Sequence, residues 1–174
     1  LPAVAKFFIL HEKDHDTSEM KKNISTQEAL LSMQKYCSYQ ERCHQEVRTK
    51  LISLGIYGDS LEEMICMLID DDFLNELRFA KSYAGGKFRM KGWGRIKIIR
   101  SLKLKGISDF CIREAIREIN ADDYKQALNK ILMKQLSMAA DLLPFERKNK
   151  AYRYALSRGF ESPLIEEFFN REFD

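Results

Sequence analysis

From Ser25 onward, apolar residues recur at intervals of three and four, the spacing that lays one apolar stripe along an α-helix. The pattern predicts helices over residues 25–38, 40–54 and 60–69, then 72–83, 93–105 and 108–119, then 122–140, 145–158 and 162–173. Start signals support several of them. Ser25 has Glu28 three residues on and Ser60 has Glu63, the spacing of a capping box, and Ser162 precedes Pro163 at a first helical position. In the fifth stretch Ile98, Ile99 and Leu102 share one face, and Lys97, Arg100 and Lys103 lie opposite with Ile96 and Leu104 among them. Ile96 and Leu104 are therefore assigned to contacts between neighbouring units.

A longer period overlies the helical one. Gly55-Ile56, Gly106-Ile107 and Gly159-Phe160 each close a helical stretch with glycine and a bulky apolar residue, as a left-handed helix terminus requires. They recur at roughly 50 residues, a period that marks stacked supersecondary units. Asp71-Asp72-Phe73 and Asp122-Asp123-Tyr124 repeat at the same interval, and Ser60, Ser108 and Ser162 follow each glycine near a new helix start. The expected fold is all-α: three tandem three-helix repeats over residues 20–70, 71–120 and 121–174. Residues 1–19 form an N-terminal extension unlike the rest. Its apolar start is too short for a membrane span and lacks a basic leader, and Met20 is a candidate natural start.

Composition narrows the class. With 174 residues, 45% hydrophobic and 32% charged, the chain is globular, and three Pro and eight Gly leave little punctuation for an all-β fold. No apolar run approaches the roughly 20 residues of a membrane span. Cys37, Cys43, Cys66 and Cys111 form no C-x-x-C pair and read as reduced thiols of a cytoplasmic protein. A zinc site from Cys37, Cys43 and His44 fits no common spacing. His11, Asp14, His15 and Asp16 offer metal ligands on what reads as a solvated tail.

Charge then singles out one stretch. Residues Leu77 to Ser108 hold ten Lys or Arg and no Asp or Glu, although the whole chain is only +3. Phe79, Tyr83, Phe88 and Trp93 are interleaved with the cations. Such a field of one sign points to a polyanion or an acidic protein surface. Gly85, Gly86, Gly92 and Gly94 predict a mobile loop carrying Lys87, Arg89, Lys91 and Arg95. Trp93 reads as a core plug or as an interface anchor. Gly85-Gly86-Lys87 lacks the Ser or Thr and the preceding strand of a phosphate loop, and no other catalytic motif is present, so no enzymatic activity is expected. Asp70-Asp71-Asp72 reads as a helix N-terminus.

The same stretch carries a resemblance. Arg78-Phe79-Ala80 with Tyr83, then Lys91-Gly92-Trp93-Gly94, Ile98, Leu102 and Lys105-Gly106-Ile107-Ser108, resemble the central motif of the RecX family of bacterial recombinase regulators. Glu41-Arg42, Val47 with Leu51, Asp71-Asp72-Phe73 and Arg158-Gly159-Phe160 extend it over residues 25–174. The resemblance implies an elongated, curved array of three three-helix units. It also implies binding to the RecA recombinase, above all to its filament on single-stranded DNA, and restraint of its recombinase, ATPase and co-protease activities. That role belongs to homologous recombination, DNA repair and the SOS response. The expected protein is a cytoplasmic monomer without cofactor, metal or membrane contact. The alternative is a module acting directly on single- or double-stranded DNA. In either case the expected contact residues are Arg78, Lys81, Lys87, Arg89, Lys91, Trp93, Arg95, Lys97, Arg100, Lys103 and Lys105.

Overall fold

The computed structural model describes residues 24–173, the side chain of Phe173 excepted. The candidate ligands His11, Asp14, His15 and Asp16, and Met20, lie outside the described residues. Among the described residues there are nine helices and no strand: α1 (Thr26–Tyr39), α2 (His44–Ser53), α3 (Gly58–Asp70), α4 (Glu76–Lys91), α5 (Arg95–Leu104), α6 (Asp109–Arg117), α7 (Ala121–Ser137), α8 (Pro144–Arg158) and α9 (Ser162–Phe173). They pack chiefly within consecutive triplets, with α4 on α6 and α7 on α8 the most extensive contacts.

The glycine period has a common physical cause. Gly55, Gly106 and Gly159 have φ of 85°, 73° and 88° and follow the second helix of each triplet. The next residue then turns its N–H back five positions: Ile56 to the Leu51 carbonyl (3.1 Å), Ile107 to Leu102 (3.2 Å) and Phe160 to Ala155 (3.2 Å). The carbonyls left open at the helix end are satisfied, and the bulky side chain is carried back onto the triplet.

Two apolar cores result. Ala29, Met33, Val47, Leu51, Met64 and Leu68 centre the first, which Leu74 closes. The second runs without interruption from Phe79, Ala80, Ile98 and Leu102 through Tyr124 and Leu132 to Phe160 and Phe169, so α4–α9 share one interior. Cys43 reaches into this second core from the start of α2. Tyr124 is 1% exposed, and its ring lies 5.7 Å from Phe88 and 5.1 Å from Phe160.

Several expectations are corrected. Gly85 and Gly86 do not open a loop: α4 continues through them to Lys91, where Gly92 ends it with φ of 58°. The helix is held by burial of Phe79, Ala80 and Ala84, which outweighs the roughly 1 kcal/mol each helical glycine costs. The second helix starts at His44 rather than Gln40, and α3 starts at Gly58 behind Tyr57 rather than at Ser60. Asp70 ends α3 and Asp71 caps it, so the acidic run lies at a helix C-terminus; Asn75 caps the start of α4 instead. Asp122 and Asp123 do stand in the first turn of α7, so the two acidic pairs are not equivalent. Ile96 and Leu104 remain 44% and 78% exposed and seal no contact between triplets.

Candidate partner-binding site

The cationic stretch occupies α4 and α5, and much of its charge is spent on holding the molecule together. At the first junction Arg78, at the start of α4, bonds the Glu41 carboxylate (2.6 Å), the Asp72 carboxylate (2.9 Å) and the Asp72 carbonyl (2.7 Å). These bonds engage the acidic run and accompany the positive φ of 56° at Asp72. Lys105, at the end of α5, bonds Glu46 of α2 at 2.7 Å, and that hydrogen bond, opposed by burial, holds its ammonium above the usual lysine range. Its Nζ also lies 5.6 Å over the Tyr83 ring. Lys81 pairs with Glu118 at the end of α6 (2.6 Å), which raises its pKa in the same way.

At the second junction the start of α5 meets the end of α8. No side chain caps α5, and its first turn carries no acid. Its free donors go to the third triplet: Gly94 N–H to the Arg158 carbonyl (2.8 Å), Arg95 N–H to the Tyr124 hydroxyl (2.9 Å) and Ile96 N–H to the Gly159 carbonyl (3.1 Å). The negative end of the α8 dipole thus stands at the positive end of α5. Tyr124 passes its own proton bond to Glu161 (2.6 Å); burial and this carboxylate push the phenol pKa well up. The Arg95 guanidinium lies 4.0 Å over the Tyr124 ring, Lys97 Nζ bonds the Ser157 carbonyl (3.1 Å), and the Arg158 guanidinium returns to the carbonyls of Lys91 and Gly92. The Gly92-Trp93-Gly94 motif is therefore a joint. Trp93 is half-buried against the second core, with Lys87 and Lys97 each 5.0 Å over its ring.

What remains free is smaller than the sequence implied. Among the described residues no ion pair reaches Arg89, Lys91 or Arg100, and all three are exposed. Lys103 pairs with Asp109 at 3.3 Å with both side chains in solvent, a contact worth little. Among the described residues Lys87 is held only by rings, 4.9 Å from that of Tyr83 and 5.0 Å from that of Trp93. The Arg89 guanidinium lies against Gly85, where a Cβ would come within 2.8 Å of it. Of the eleven expected contact residues, the last turns of α4 thus gather Lys87, Arg89 and Lys91, while α5 presents Arg100 and Lys103. The sequence reading missed Met90, which is 82% exposed amid these cations, and Glu41 beside them; an apolar residue between Arg89 and Lys91 was the available signal.

An all-helical protein of consecutive three-helix groups, its central group cationic, is the class that this fold and surface define. Residues 75–116, which span α4 to α6, match the family description "RecX, second three-helix domain". The chain is 30% identical over 142 residues to "Regulatory protein RecX" of Prosthecochloris aestuarii, covering 82% of this chain and 91% of that one. It is 30% identical over 130 residues to the protein of the same name from Bacillus licheniformis, of whose length it spans only 49%. The crystal structure of RecX from Lactobacillus salivarius superposes with a TM-score of 0.76 at 26% identity, covering 84% of this chain and 95% of that chain. The chain belongs to the RecX family. No helix among the described residues is long and apolar enough to cross a membrane.

Proposed function

We propose that this protein is a non-enzymatic cytoplasmic regulator that binds the RecA recombinase filament on single-stranded DNA and restrains its recombinase, ATPase and co-protease activities. Residues 20–70, 71–120 and 121–174 act as three units along the filament. The observation that carries this reading is the group of cations left without acidic partners, Arg89, Lys91 and Arg100, on a chain whose family relatives are named regulatory proteins. A cation already neutralised within the fold contributes little to a partner; these three meet an acidic protein surface, DNA phosphate, or both.

The test is RecA ATP hydrolysis on single-stranded DNA with substoichiometric additions of the protein, alongside its binding to DNA alone. Inhibition at amounts too small to cover the DNA supports filament regulation. Loss of effect when DNA is in excess, with binding that falls steeply with salt, supports direct action on nucleic acid instead. Arg100→Glu is the clean charge reversal, since Lys97→Glu also disturbs the bond to the Ser157 carbonyl.

A further inference from the structure

The outer face of α4 carries a glycine that nothing in the fold explains. A Cβ on Gly85 would meet the movable Arg89 guanidinium at 2.8 Å, but a Cβ on Gly86 would meet no atom within 4 Å. The chain therefore keeps an unfavourable residue in mid-helix and leaves open space above it. That space is a cup of about 310 Å³ between α4 and the connection from α1 to α2, lined by Phe79 and Tyr83 with Gly86, and by Gln40 and Glu41 across from them. Lys87, Met90 and Lys91 form its rim. Met90 is 82% exposed there, and Lys91 has no acidic partner among the described residues. At the far side the Glu41 Oε2 is buried and has no hydrogen-bond donor among the described residues, although Oε1 holds Arg78.

We propose that this cup is a peptide-docking site, taking a segment of the regulated protein that presents an aromatic or aliphatic side chain beside a carboxylate, an inference that rests on the regulator reading above. The apolar side chain sits over Gly86 between Phe79, Tyr83 and Met90. Its carboxylate meets Lys87 and Lys91, the two cations of the rim.

The probe is a capped Asp-Phe-Asp tripeptide titrated into the isotope-labelled full chain, followed by amide chemical shifts. Saturable shifts centred on Gly86, Tyr83 and Met90 are expected, with none from Lys-Phe-Lys or Asp-Ser-Asp. Gly86→Leu fills the cup in open space; its Tm rises by about 2–4 °C while peptide affinity falls at least tenfold. Met90→Asp, at a site that folding does not use, loses affinity similarly. Shifts centred elsewhere, equal shifts from the basic peptide, or stronger shifts at Gly86 from a thymidine oligonucleotide overturn the assignment. A Gly86→Leu protein that inhibits the RecA filament like the wild type also overturns it, and leaves the regulator reading standing. A wild type that inhibits no filament yet binds the acidic peptide in the cup removes the regulator reading and supports the cup as a peptide site.

Discussion

Gly94→Ala tests the joint between α5 and α8. Gly94 has φ of −77° and ψ of 166°, a conformation alanine adopts without strain, so the substitution adds one methyl group and little else. That methyl would lie 2.2 Å from the Gly159 oxygen, 2.3 Å from its carbonyl carbon and 2.4 Å from Phe160 N, all backbone atoms that no rotamer change moves aside. Reaching ordinary contact requires the end of α8 to retreat by about 1 Å or more. The bonds from Gly94, Arg95 and Ile96 stretch together. Overpacking costs about 1–3 kcal/mol and each of the three lost hydrogen bonds about 1 kcal/mol, giving on the order of 4–6 kcal/mol. Gly106→Ala is the control: φ is 73° with no atom within 4 Å of the new methyl, so only the left-handed penalty of about 1–2 kcal/mol applies. Urea unfolding followed by far-ultraviolet circular dichroism and by fluorescence of Trp93, the single tryptophan, reads both. The midpoint is expected to fall by about 2 M for Gly94→Ala and by less than 1 M for Gly106→Ala. If Gly94→Ala costs no more than Gly106→Ala, the close approach of the two helix ends is wrong.

Other outcomes follow from the same contacts. Arg78→Ala strips the Glu41 carboxylate and the Asp72 carbonyl of their donors and destabilises the first junction by about 1–2 kcal/mol after allowance for partial exposure, measured by urea unfolding; no change refutes its structural role. Burial pushes the Glu76 carboxyl up, but hydrogen bonds from Ser108 and Cys111 with the charge of His44 outweigh it and hold it below its ordinary 4.5. A depressed carboxyl stabilises the fold above that pH and loses the effect as pH falls, so Glu76→Gln should flatten the acid limb of a Tm-against-pH curve below pH about 4.5. Arg100→Glu leaves stability within about 0.5 kcal/mol of wild type by thermal unfolding, and weakens filament inhibition at least severalfold in the ATPase assay.

The helices were largely legible because their signals are local. A three-four apolar spacing, Ser25 with Glu28, and a glycine before a bulky residue each act within a few positions, and Gly55, Gly106 and Gly159 close the second helix of each triplet. Reading failed where a distant contact overrode a local preference. Gly85 and Gly86 look like a loop, yet burial of Ala80 and Ala84 carries the helix through them. Asp72 looks like a cap and is instead a ligand for Arg78.

The sequence by itself determined an all-helical chain, its repeating period and a central segment of one charge sign. Which cations face a partner was decided only in three dimensions. Arg78 finds Glu41 37 positions away, Lys105 finds Glu46 59 away and Lys97 finds the Ser157 carbonyl 60 away. A run of like charges cannot pair within itself, so its partners must come from other helices. Packing of α4 and α5 between the flanking triplets supplies those partners at both ends and leaves Lys91 and Arg100 facing solvent.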